Sequence, residues 1–142
     1  MSQTFDLAQI ITAAGDAIVV SDVGGAIVVW NPAAERIFGF TQEEALGRSL
    51  DLITPERQRQ RHWDGYHKTM QTGVTRYGTQ VLRVPALHKD GRPLSIAFTV
   101  AMLRGADDAI VGIAAIIRDE TSRWNEERAM RRRLADLEAQ VS

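Results

Sequence analysis

The spacing of apolar positions changes several times along the chain, and each change marks an element. Phe5, Leu7, Ala8, Ile10, Ile11 and Ala14 follow a helical repeat, with Thr4 placed to cap it and Gly15 to end it. Residues 17–22 and 26–31 are instead β-branched and continuous, and Val23-Gly24-Gly25 between them predicts a hairpin with a glycine turn. Asn31-Pro32 then opens a second helix, whose inner face is Ala33, Ala34, Ile37 and Phe38 and which stops at Gly39. Thr41 and Glu44 have capping-box spacing, which predicts a short helical turn through Ala45 and Leu46 to Gly47.

The longest helical pattern is opened by Pro55-Glu56 and closed near Gly73. At about 100° per residue, His62, Tyr66, Met70, Trp63 and His67 occupy an arc of about 140°. That face is aromatic and bears imidazole, while Arg57, Gln60, Arg61, Asp64 and Lys68 lie elsewhere, so the helix reads as one wall of an interior. Gly65 costs roughly 1 kcal/mol against alanine inside a helix. Its presence suggests a bulky group close to the backbone.

Strand patterns return after Gly73. Residues 75–87 and 94–103 are joined by His88-Lys89-Asp90-Gly91, and residues 104–108 turn the chain into a last strand over 110–117. These three strands complete a five-stranded antiparallel sheet. From Thr121 the chain is charged and helical, and Met130, Leu134, Leu137 and Val141 recur at spacings of 4, 3 and 4, the seam of a short coiled coil. The partition is an N-terminal amphipathic helix over 1–15, a domain over 16–120 and a helical connector over 121–142.

Composition narrows the function. With 17 basic and 18 acidic residues among 142, the net charge of −1 leaves no footprint for nucleic acid or an anionic membrane. The absence of cysteine excludes disulfides, thiolate metal sites, cysteine nucleophiles and cysteine-linked chromophores. No apolar run approaches membrane-spanning length, and no basic segment followed by an apolar one opens the chain. A cytoplasmic location is the simplest expectation. Asp51, Asp64 and Glu56 are scattered, and no nucleophile–base pair or phosphate-cradling glycine loop is visible, so the domain is not expected to be an enzyme.

The order strand, strand, short helices, longer helix, three strands resembles the PAS family of sensor domains. Asp16-Ala17-Ile18, Val29-Trp30-Asn31-Pro32-Ala33-Ala34-Glu35 and Ile37-Phe38-Gly39-Phe40 look like its opening. Glu44-Ala45-Leu46-Gly47-Arg48 looks like its middle, Lys89-Asp90-Gly91 like its hairpin, and Arg118-Asp119-Glu120-Thr121 like its exit. The resemblance covers about residues 5–121. It implies an α+β PAS fold: a five-stranded antiparallel sheet with short helices on one face and flanking N- and C-terminal helices. It also implies a homodimer, with the signal leaving through the C-terminal helix to an output module such as a histidine kinase.

Within that family, Pro55-Glu56-Arg57-Gln58-Arg59-Gln60-Arg61-His62 resembles the run of the rhizobial oxygen-sensing kinases whose histidine holds haem iron. The resemblance implies haem b, His62 as the metal ligand and a diatomic gas as the signal. The implied lining is Tyr66, Trp63, Met70, Leu82, Ile96, Phe98, Val100, and Ile113 or Ala115. The run departs from those kinases twice. Their next tyrosine comes one position earlier than Tyr66, and Leu82 stands where they place a gas-bonding arginine, Arg83 pointing to the other face of a regular strand. An apolar distal side leaves carbon monoxide and nitric oxide as candidates beside oxygen.

Each signal also has a plainer reading. His62 and His67 can be ordinary helix residues, His67 partly exposed. His88 is expected at the surface of its turn, and Met70 is expected to fill a core gap. Trp30 and Trp63 are expected to be packing residues, and Trp124 to mark the joint to the connector. The segment 47–52 lacks the cysteine and polar array of flavin photosensors, and no residue offers the distal acid–base group of a haem peroxidase. The alternative function is a haem-free PAS dimerisation or adaptor module whose pocket takes a small apolar ligand or nothing.

Overall fold

A computed structural model of the protein describes residues 4–74 and 79–141. In chain order the elements are α1 (Leu7–Ala13), β1 (Ala17–Asp22), β2 (Ile27–Trp30), α2 (Pro32–Phe38), α3 (Gln42–Ala45), a 3₁₀ turn (Leu50–Ile53), α4 (Glu56–Thr72), β3 (Leu82–Leu87), β4 (Pro93–Arg104), β5 (Ile110–Asp119) and α5 (Thr121–Val141). The five strands form one antiparallel sheet in the order β2-β1-β5-β4-β3.

Local chemistry sets most boundaries where expected. Asn31 caps α2 and Gly39 ends it in the left-handed region. The α3 capping box is complete, since Thr41 Oγ1 accepts from the Glu44 amide at 3.2 Å and Glu44 Oε1 accepts from the Thr41 amide at 2.9 Å. The start of α1 differs from expectation. Asp6, not Thr4, is the cap, its carboxylate accepting from the Ala8 amide at 3.0 Å, and the helix ends before Gly15 at an extended Ala14. The expected strand over 75–87 begins only at Leu82, and residues 75–78 lie outside the described residues.

Register assigns the inner face of the sheet. Ala17 stands opposite Ile117, which stands opposite Phe98, which stands opposite Leu82; Val19, Ala115 and Val100 form the next row. Against the β1–β2 end of this face pack α2 and α3, and here Ala17, Ile27, Trp30, Ala33, Ala34 and Phe38 are all buried. The Trp30 indole N–H donates to the Phe40 carbonyl at 2.9 Å, so its buried polar edge is satisfied.

The β3–β4 hairpin closes onto this packed half. The Lys89 amide donates to the Phe38 carbonyl at 2.8 Å, and the Lys89 ammonium meets Glu44 Oε2 at 2.6 Å. Hydrogen bonding from Lys89, reinforced by the Thr41 amide, holds the Glu44 carboxyl at about 2. His88 is not the surface residue the turn suggested. Its ring lies so close to Gly39 that a Cβ there would stand 2.5 Å from His88 Cε1, and Gly39 has φ of +83° besides. Turn spacing located the hairpin but could not show that it folds back onto the end of α2.

One buried side chain ties four segments together. Asn31 Oδ1 accepts from the Ile18 amide at 2.9 Å and the Ala34 amide at 3.1 Å, while its amide group donates to the carbonyls of Ile11 at 2.9 Å and Asp16 at 3.1 Å. Replacing it with alanine strands several buried backbone groups. Asn31→Ala is expected to cost about 3 kcal/mol or more, read as a lower urea midpoint at unchanged slope.

Candidate functional site

The α4 wall is docked by polar contacts to the end of β1 and to the 3₁₀ turn. Arg59 Nε donates to the Thr54 carbonyl at 3.1 Å, and Trp63 Nε1 donates to Asp51 Oδ1 at 2.7 Å. The Tyr66 hydroxyl donates to the Asp22 carbonyl and therefore accepts from Ser21 Oγ at 2.9 Å. Burial raises the Tyr66 phenol above its ordinary pKa of 10.0, so it stays a donor. At the far end, Arg104 donates to the Gly73 carbonyl at 3.0 Å.

Trp63 also fixes the turn between β1 and β2. Its ring lies over Gly25, where a Cβ would stand 2.2 Å from Trp63 Cη2 and where φ is +86°. The glycine therefore serves the tryptophan as well as the turn. Gly65, by contrast, faces outward with nothing near the space of a side chain. The close approach expected at Gly65 occurs at Gly25 instead, because Gly65 lies on the solvent side of the helix.

The inward arc of α4 comprises Gln58, Arg59, His62, Trp63, Tyr66, Thr69 and Met70, all buried or half-buried, whereas Arg61, Asp64, His67 and Lys68 are exposed. His62 lies near the centre of that arc. Its ring is 4.7 Å from Trp63 and 5.8 Å from Tyr66. Nδ1 of His62 is buried and bonds to no other atom among the described residues, and Gln58 Oε1, one turn earlier, is in the same position. Burial lowers the His62 pKa below 6.5, opposed by the charge of Asp51 and reinforced by His67, so the imidazole is neutral.

The inner face of the sheet is not uniformly covered. Along β4 burial falls from Leu94 and Ile96, both buried, to Phe98, Val100 and Met102, which are half-buried; Ile113 and Ala115 of β5 and Leu82 of β3 are half-buried as well. Every inner-face residue in this region is apolar. Leu82 shares the face of Phe98, and Arg83 turns to the other side, where its Nε meets Glu120 Oε2 at 3.3 Å. The two features are a neutral imidazole on α4 and a half-buried apolar face on β3–β5. Among the described residues, no group of three or more histidine and carboxylate side chains is placed to hold a metal ion.

An antiparallel sheet that cups short helices and hands its last strand to a long helix defines a class of ligand-responsive sensory domains. The chain belongs to the PAS family, whose fold matches residues 6–119. PAS domains are sensory modules without catalytic activity of their own. A protein of Azorhizobium caulinodans described as uncharacterized is 35% identical over 118 residues, 82% of this chain. The sensor protein FixL of Bradyrhizobium diazoefficiens is 29% identical over 89% of the chain, and the oxygen sensor protein DosP of Escherichia coli is 26% identical over 66%. The chain spans only 16%, 24% and 11% of the lengths of these three relatives. Among solved structures, the PAS domain of a Colwellia psychrerythraea protein is 26% identical with a TM-score of 0.71, covering 81% of this chain and 94% of that one. Among the described residues no helix is long and apolar enough to cross a membrane.

Helical spacing thus puts His62, Trp63, Tyr66 and Met70 on one face of α4, and strand register puts Leu82, Ile96, Phe98, Val100, Ile113 and Ala115 on one face of the sheet. Trp63 and Tyr66 are spent on docking the helix. Asp51, Gly25, Ser21 and Gln58 were not singled out for this site by their sequence signals. The partners of Trp63 and Tyr66 lie 12 to 45 residues away.

Two expectations follow. Gly25→Ala is expected to push Trp63 off the turn, seen as a red-shifted tryptophan emission and a loss of about 2 kcal/mol or more. His62 binds its proton more readily unfolded than folded, so its contribution to stability is complete above about pH 6.5 and is lost as the pH falls towards its lower folded pKa. In urea unfolding from pH 7 to 5, His62→Gln should therefore lose less stability than the unaltered chain. Superimposable profiles would mean that His62 is not buried in its neutral form.

Proposed function

We propose that this PAS domain is the sensory part of a signalling protein and binds haem b through His62. The observation that carries the reading is the His62 imidazole, neutral, inward-facing and unpartnered at Nδ1, in a fold whose β3–β5 inner face is apolar and, past Ile96, only half-buried. The donor chemistry fits: a neutral imidazole is the protein ligand that haem iron takes, and the half-buried Phe98, Val100 and Ile113 offer the apolar contact a porphyrin needs. Haem held on one side by imidazole supplies reversible binding of a diatomic gas on the other. The likeness to proteins named as a sensor and as an oxygen sensor supports gas as the signal. The chain's own part is to present His62, exclude water with the β3–β5 side chains and offer no hydrogen-bond donor from Leu82, which leaves carbon monoxide and nitric oxide as candidates beside oxygen.

The output route runs through the end of β5. Thr121 Oγ1 accepts from the Ser95 amide of β4 at 3.0 Å, the Glu120 amide donates to the Ser95 carbonyl at 2.8 Å, and α5 begins there. A displacement of β4 against α4 is thereby passed directly to α5. The recipient we propose is a kinase or comparable signalling module.

One observation favours a second reading, a haem-free sensory or adaptor module. Trp63 and Tyr66 already have protein partners, so the α4 wall stands without a ligand. An absorbance spectrum separates the two. Protein from haem-supplemented cells is expected to show a stoichiometric Soret band that shifts with carbon monoxide after dithionite and is lost in His62→Ala. A colourless protein that takes up no haem on titration would overturn the haem reading and leave the second.

A further inference from the structure

Two buried polar atoms of α4 bond to no other atom among the described residues, Oε1 of Gln58 and Nδ1 of His62. The residues stand one turn apart on the inward arc of the helix, about 40° from each other around its axis. Side chains on a helix lean towards its N-terminus and lie over the preceding turn, which aims the His62 ring at the turn that carries Gln58. Within the ring, Nδ1 is the nitrogen beside the stem and Nε2 the one at the tip. The unpartnered nitrogen is therefore the one held near Gln58, and Nε2 is the one carried away from the helix.

A neutral imidazole has one N–H and one lone pair, placed on its two nitrogens in either order. The aromatic groups against the ring do not choose the order, because their polar atoms are engaged elsewhere. Trp63 Nε1 donates to Asp51 Oδ1 at 2.7 Å, and the Tyr66 hydroxyl donates to the Asp22 carbonyl and accepts from Ser21 Oγ at 2.9 Å. Gln58 Oε1 is a buried acceptor that still lacks a donor.

We propose that Gln58 is the positioning residue of His62: its Oε1 accepts the Nδ1 proton and so fixes the tautomer in which Nε2 presents its lone pair. This rests on the haem reading for the group that Nε2 would hold. A metal on Nε2 requires the proton on Nδ1, and a buried N–H requires an acceptor, which also makes the ring a stronger ligand. Each of the two unpartnered atoms supplies what the other lacks. The bond is not closed in this structure; closing it uses the side-chain torsions of two residues on one helix, of which the amide torsion of Gln58 is a broad one.

The test has a haem-free and a haem-loaded arm, both on the whole chain. Nitrogen NMR of the labelled haem-free chain, at a pH where the ring is neutral and with His62 assigned by its loss in His62→Gln, reads which nitrogen carries the proton. His62 is expected in the Nδ1–H form. Gln58→Leu is expected to move it to the Nε2–H form, and Gln58→Glu, which keeps an acceptor, to retain Nδ1–H. An Nε2–H form in the unaltered chain, or a tautomer indifferent to Gln58→Leu, would overturn the proposal whether or not the chain takes up haem. In the loaded protein, Gln58→Leu should shift the iron–histidine stretching band of the ferrous form to lower wavenumber and release haem about tenfold faster or more, with Gln58→Glu sparing both. A band and a release rate unchanged in Gln58→Leu would overturn the proposal and leave the haem reading standing. A tautomer that follows Gln58 in a chain that takes up no haem would sink the haem reading and leave Gln58 as the residue that orients His62.

Discussion

The structure depends on a single buried amide. Asn31 ends β2 and begins α2, yet its side chain also holds the ends of α1 and β1, meeting two donors and two acceptors at 2.9 to 3.1 Å. A buried polar group is tolerable only when fully bonded, and an amide can satisfy both kinds of neighbour at once. Its geometry fixes how far α2 stands from the sheet. From that spacing follow the burial of Trp30 and Phe38 and the seat on which the β3–β4 hairpin closes.

With one half of the inner face packed in this way, the other half is left to α4, which is held differently. The β1–β2 end is closed by apolar burial, whereas α4 is attached mainly by hydrogen bonds to Asp51, Ser21, the Asp22 and Thr54 carbonyls and, through Gly73, to Arg104. Net stabilisation by such a bond is about 1 kcal/mol, while burying a large apolar side chain contributes about 2 kcal/mol. The wall bearing His62 is thus the part of the domain that moves at least cost. A sensory fold needs one rigid half to move against, and α2 with its hairpin supplies it.

The fold was legible because most of its boundaries are set by local chemistry. Asn31-Pro32, the Thr41 capping box, Asp90-Gly91 and the change from period two to a helical period all act within a few residues, and the strand order then follows from the family's order of elements. The exceptions are instructive. Asp6 rather than Thr4 caps α1 because either side chain can take that role, and nothing in the spacing chooses between them. His88 looked exposed because a hairpin turn is ordinarily exposed; that it meets Gly39 depends on the return of the β3–β4 hairpin 49 residues after that glycine. The face of α4 was readable from periodicity, and so was the inward aim of His62. What each aromatic does there was not, because the partners of Trp63 and Tyr66 come from β1 and the 3₁₀ turn and carry no pattern of their own.

A change at α4 matters only if it reaches α5, and the connection is short. Ser95 of β4 is bonded through both its backbone groups to Glu120 and Thr121, so the start of α5 is fixed to that strand. No ligand moves that strand unless it binds one arrangement of α4 and sheet more tightly than another, and the shift it produces cannot exceed that difference in affinity. Because α4 is held by bonds worth about 1 kcal/mol each, a difference of a few kcal/mol is enough to redistribute them.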